Sequence, residues 1–243
     1  MFKRLALICV LLLVLGLAAG CSGEQGTADT SGNEGQVGSQ ATEAKAEITQ
    51  KAFHVWKDSI GTVWAHGAIE IKNTGDVPVK VGDISFSFTG TDGSILGTTT
   101  MLLPVPEIIK PGEVAYAGDS TIIEGVTDKS AVADMEANID FDKTEEEAQI
   151  LEVTDLKMIK GSFGDVKVTG RITNNTEENA DDIRIIVAML DADNKLVGIM
   201  TSSPTVTLAP GKNMGFEASY PVLDAGVVGN VKNLKGFAFN WTW

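Results

Sequence analysis

The chain holds only two histidines, His54 and His66, and two cysteines, Cys9 and Cys21, so residues able to ligate a soft metal or act as a general base are few. A transition-metal centre needs three or four converging donors. Neither histidine has a second His, Cys or Met at ligand spacing, and each stands in an alternating, strand-like context that reads as a satisfied or solvent-facing side chain. A Ser-His-Asp hydrolase has its residue types available but no Gly-x-Ser-x-Gly elbow. Asp191, Asp193 and Asn194 lie close enough to suggest oxygen ligation of calcium. They lack the Gly and the distant bidentate Glu of a twelve-residue calcium loop, and the related Gly90-Thr91-Asp92-Gly93 keeps one carboxylate, so turn chemistry accounts for both. No Gly-rich loop follows a strand and opens a helix, as a nucleotide phosphate would require. No catalytic residue, metal ligand or cofactor is expected, and the chain does not read as an enzyme.

Four tryptophans remain as candidates for binding: Trp56, Trp64, Trp241 and Trp243. Exposed, they would form a surface on which sugar rings or another small ligand could stack; turned inward, they would fill the edges of a core.

The first twenty residues have Lys3 and Arg4, an apolar run from Leu5 to Ala19, and small residues ahead of Cys21. That is the plan of an export signal, too short to be an ordinary membrane span. Leu17-Ala18-Ala19-Gly20-Cys21 resembles the lipobox of bacterial lipoproteins, with Ala18 at the place where that pattern prefers Leu. The resemblance implies that residues 1–20 are removed and that Cys21 becomes the acylated first residue, its acyl chains holding the protein on the extracytoplasmic face of the cell membrane. Cys9 would leave with the signal, so the mature chain would have no free thiol. The formal net charge is −14, or −16 without Lys3 and Arg4. Such a surface repels nucleic acid and anionic headgroups.

The elements that must position these residues follow from composition and period. Residues 21–47 are rich in Gly, Ser, Thr, Gln, Glu and Ala and cannot bury enough apolar surface to fold, which predicts a flexible tether. Beyond it an internal repeat is visible. At an offset of 101, Ile71-Lys72-Asn73-Thr74 pairs with Ile172-Thr173-Asn174-Asn175, Phe86 and Phe88 with Val187 and Met189, and the stretch 91–97 with 192–198. With two residues of slippage, Ile109-Lys110-Pro111-Gly112 pairs with Leu208-Ala209-Pro210-Gly211. Within each half the apolar period is two, as in Ile84-Ser85-Phe86-Ser87-Phe88 and Val166-Lys167-Val168-Thr169. Asp92-Gly93 and Asp193-Asn194 suit tight hairpins that need positive φ. Thr144–Gln149, the one helix-like stretch, reads as a linker or strand lead-in, and Glu145-Glu146-Glu147 as solvated.

The expected fold is all-β: two antiparallel β-sandwiches of six or seven strands each, at 48–143 and 150–243. Val187-Ala188-Met189-Leu190-Asp191, the hairpin after it and Leu208-Ala209-Pro210-Gly211 with Phe216 are similar to the signature of the FxLyD domain of bacterial envelope proteins. The first half matches less well, with Gly90 in place of the Asp. That resemblance implies immunoglobulin-like sandwiches and an envelope location, and it carries no catalytic motif. The expected role is non-catalytic: binding, scaffolding or assisting an envelope protein, with glycan or small-molecule binding through the tryptophans as the alternative.

Overall fold

The computed structural model describes residues 43–100, 102–161 and 165–241. The described chain is all-β, with thirteen strands, one 3-10 turn at Lys129–Ala131 and no α-helix. Among the described residues no helix is long and apolar enough to cross a membrane.

In the first half, β1 (Ala46–Lys57), β2 (Val63–Asn73) and β6 (Val114–Ile122) form one antiparallel sheet. The second sheet has β3 (Val79–Gly90) at its centre, with β7 (Val132–Lys143) along one side and β4 (Ile95–Thr100) and the short β5 (Ile108–Ile109) following one another along the other. The second half repeats the pattern. There β8 (Gln149–Lys160), β9 (Val166–Thr173) and β12 (Asn213–Ala218) correspond to β1, β2 and β6, while β11 (Leu196–Ser202), β10 (Ile183–Leu190) and β13 (Asn233–Asn240) correspond to β4, β3 and β7. Gln149, Ile150 and Leu151 of β8 pair with β13 and the residues from Glu152 onward with β9, so one strand serves both sheets, and a register shift with Asp155 at φ 55° bends the β9-paired part between Thr154 and Lys157. Ala46 and Glu47, counted with the tether on composition, open β1 opposite Asn73 and Lys72. Thr144–Ala148 joins β7 to β8 without helix.

The repeat seen in the sequence is thus a repeat of pairing, and its most informative pair is polar. Asn73 and Asn174 are both fully buried. Asn73 Nδ2 donates to the carbonyls of Val77 and Ile109, and Asn174 Nδ2 to those of Glu178 and Leu208, each bond 2.7–2.8 Å. Each Oδ1 accepts an amide two residues on, from Gly75 or Thr176. A buried amide with all these bonds made locks the loop after β2 (or β9) onto the strand that crosses it. The hairpins match too, Gly93 at φ 80° and Asn194 at φ 59° occupying the same turn position.

Each half has its own core. Ile69, Ile71, Phe86, Phe88 and Met135 lie between the first two sheets; Val168, Ile172, Ile185, Val187, Met200 and Phe216 lie between the last two. A third core, of Ala52, Ala68, Val105, Tyr116, Ile186, Ala188, Leu190, Leu196, Ile199 and Phe239, lies between the β1-β2-β6 sheet and the β11-β10-β13 sheet. The four sheets are therefore stacked in four layers. The repeat explains which faces meet. The outward side of β10 carries Ile186, Ala188 and Leu190, where β3 has Ser85, Ser87 and Thr89. The outward side of β2 carries Trp64, His66 and Ala68, where the second half has Asp165 just before β9 and Lys167 and Thr169 on it. Only the two apolar faces gain by leaving water, so they pack together and the polar ones stay outside.

The buried amides give a direct test. Asn174→Ala removes the side chain's bonds to the Glu178 and Leu208 carbonyls and to the Thr176 amide and hydroxyl, and at about 1 kcal/mol for each bond is expected to lower unfolding stability by about 2–4 kcal/mol. Asn175→Ala, whose side chain bonds the exposed Glu152, should change it by less than about 0.5 kcal/mol. Urea titration of the two variants checks the contrast.

Candidate functional site: the junction between the halves

The residues singled out for chemistry converge on the third core and its rim. Trp56 is only 8% exposed, and although it belongs to β1 it packs among the core residues of the second half. Trp64, its cross-strand partner on β2, stacks on it with centroids 6.1 Å apart and ring planes 8° from parallel. The indole Nε1–H of Trp64 donates to Asp58 Oδ2 at 3.0 Å, which with nearby backbone amides holds that carboxyl below its usual range. The pair forms a wedge into the second half, so Trp56 offers no open face to a ligand. Trp241 borders the third core and lies under the guanidinium of Arg184, 4.8 Å from ring centroid to Cζ. Cys21 and Trp243 fall outside the described residues.

Arg184 stands on the outward side of β10 at the end of the apolar run. Its Nη2 meets Asp182 at 2.9 Å and its Nη1 donates to Ser203 at 3.3 Å. Its Nε is the one buried side-chain polar atom among the described residues that lacks a hydrogen-bond partner. The guanidinium lines a recess of about 280 Å³ with Leu102, Val105, Asp119, Thr201 and Tyr220.

The two histidines are direct cross-strand neighbours, and both reach the edge strand β11 of the other half. His54 Nε2–H donates to the Val197 carbonyl at 2.7 Å. His66 is fully buried; its Nε2 accepts from the Ile199 amide at 3.4 Å, so Nδ1 carries the proton and donates to Ser120 Oγ at 2.9 Å. Gln50 adds a third link, its Oε1 accepting from the Leu196 amide at 2.8 Å and its Nε2 donating to the Asn194 carbonyl at 3.4 Å. An edge strand presents unpaired backbone groups, and here side chains from the neighbouring sheet satisfy them.

Burial is the main force on both rings. It pulls His66 down to about 3, aided by repulsion from His54, and it also lowers His54. Glu70 is pushed up by burial, but bonds from Tyr116, Thr49 and Gln50 outweigh it and leave the carboxyl below its usual range. Tyr116, buried in the third core against Phe237, is in turn held protonated by burial and by Glu70.

Ser120, His66 and Asp119 come together without the roles of a triad. Ser120 accepts from the imidazole, and the Asp119 carboxylate bonds the Ser120 amide and the Tyr220 hydroxyl. Asp191 Oδ1 accepts the amides of Asp193 and Lys195 at 2.8 and 2.9 Å, as a tight turn requires. Among the described residues no group of three or more His, Cys, Asp or Glu is placed to hold a metal ion.

Spacing along the chain concealed that these groups share one surface. Gln50, Glu70, Tyr116 and Arg184 were not singled out at all. A signal did exist: apart from Arg184, Ile183–Leu190 is apolar at every position, the mark of a strand buried on both faces. Comparison of the sequence with protein-family models and with curated proteins gives no match.

Replacing Trp56 by Ala removes the wedge. The expected loss is about 3–5 kcal/mol of unfolding stability, read by denaturant titration with circular dichroism; a loss below about 1 kcal/mol would show that Trp56 does not join the halves.

Proposed function

We propose that this chain is a membrane-anchored extracytoplasmic lipoprotein whose folded part, a tandem pair of immunoglobulin-like β-sandwiches of the FxLyD kind, binds or scaffolds an envelope protein without catalysing a reaction. The observation that carries the anchor is the position of Cys21, directly after a basic start, an apolar run and small residues. Two or more acyl chains there hold a soluble domain where one short chain would release it.

A binding or scaffolding role is supported by what the fold leaves open. The outer faces of the stack carry Ser85, Ser87 and Thr89 on one side and Lys167, Thr169 and Arg171 on the other, all at least partly exposed. Together with the hairpin loops and the remaining strand edges, they are the places where sandwiches meet partners. The enclosure of Trp56 and the stacking of Trp64 withdraw two of the four side chains on which a glycan-binding role would depend.

The test is metabolic labelling with a clickable fatty acid in cells expressing the native chain or Cys21→Ala, followed by crosslinking and mass spectrometry. Label on the native chain alone, with an envelope protein crosslinked only to that chain, is the expected result. Equal labelling of both forms would overturn the anchor, and a labelled chain that crosslinks to no protein would overturn the scaffold.

A further inference from the structure

We propose that the contact between the two halves is an acid-sensitive latch, closed on strand β11 by neutral His54 and His66 and loosened when these side chains take up protons. The inference is independent of the anchor and of any partner.

It starts from where the histidines are. The sequence has two, and both stand in this one junction, side by side on neighbouring strands and bonded to the same strand of the other half. Neither half-core between paired sheets contains a histidine, so proton uptake by imidazole acts on the junction and leaves the two inner cores alone. The His66 bonding is specific to the neutral ring, whereas His54 keeps its bond to the Val197 carbonyl on protonation and resists the proton through burial. His66 Nε2 accepts the Ile199 amide; once protonated it becomes a donor facing a donor, and that bond is lost. Two imidazolium rings at directly opposed cross-strand positions would also repel each other.

The surroundings do not supply the missing counter-charge. Among the described residues, the carboxylates on the elements packed around the pair are engaged elsewhere. Glu70 of β2 is held by Tyr116, Thr49 and Gln50. Asp119 of β6 bonds the Ser120 amide and the Tyr220 hydroxyl, and Asp191 after β10 holds its own turn. The recess beside His54 is lined by Lys51 and Lys195 as well as Asp191, so positive charge already stands there. Packing is equally unforgiving: a Cβ on Gly198 would lie 3.1 Å from His66 Nε2, and one on Gly118 would lie 2.6 Å from Ile199 Cγ1. At His66 a solvated imidazolium does not fit without the halves parting.

The sign follows from linkage. In the closed form His66 titrates at about 3, against 6.5 for the free ring. The open form therefore binds more protons between those values, closure is complete above pH 6.5, and it weakens as the pH falls. His66 alone gives about a 25-fold weakening between pH 7 and pH 5, and His54 adds to it.

Amide hydrogen exchange of the full chain in detergent reads this directly, because the Leu196 and Ile199 amides are bonded across the junction. After correction for intrinsic exchange, their protection is expected to fall 25-fold or more from pH 7 to pH 5, while β3 and β9 keep theirs. In a His54→Gln/His66→Gln chain the fall should vanish. Should that chain not fold, the native chain alone decides, since each opening event must take up about one proton between pH 6 and pH 4.5. Unchanged protection at β11, an equal fall in the double variant, an uptake well below one proton, or loss of protection in all strands together would each overturn the latch.

Discussion

Burial of the outward faces of the two central sheets is the constraint on which the rest of the structure depends. A sheet in a two-layer sandwich needs one apolar face; β2 and β10 have two. Ile186, Ala188, Leu190 and Phe239 on one side and Ala52, Ala68 and Tyr116 on the other would leave a large apolar patch in water if the halves stood apart. Their union removes that patch, and in doing so it encloses Trp56, both histidines and the Tyr116–Glu70 pair. The chemistry of the junction is a consequence of this packing.

The third core also sets what the polar groups must do. Small residues bring the sheets close: Gly118 admits Ile199, and Gly198 admits His66. At that separation the edge of β11 cannot keep water on its backbone, so its amides and carbonyls must be met by Gln50, His54 and His66. Buried polar groups are costly unless bonded, which ties the protonation of the imidazoles to closure of the interface.

Much of the fold was legible in the sequence because it rests on local rules. Period-two alternation gives strands, the Asp-Gly and Asp-Asn hairpins give turns with positive φ at Gly93 and Asn194, and the offset of 101 gives a recurring pairing pattern. The junction was harder to read, since it depends on what faces the second side of a strand. The relevant differences lie between equivalent positions: Ile186, Ala188 and Leu190 against Ser85, Ser87 and Thr89, and Trp64, His66 and Ala68 against Asp165, Lys167 and Thr169. Single residues viewed along the chain hide this contrast. His54 and His66 read as satisfied or solvent-facing side chains and do have partners, but the ones on β11 lie more than 130 residues away. The tryptophans stayed ambiguous for the same reason, because inward and outward positions look alike until the neighbouring layer is known.

The measurement that tests the account most directly is calorimetric unfolding of the full chain at pH 7. If the third core joins the halves, heat unfolds them in one cooperative transition whose calorimetric and van't Hoff enthalpies agree, and Ala188→Arg, which puts a charge in the buried junction, splits it into two. Two independent transitions in the native chain would contradict the account.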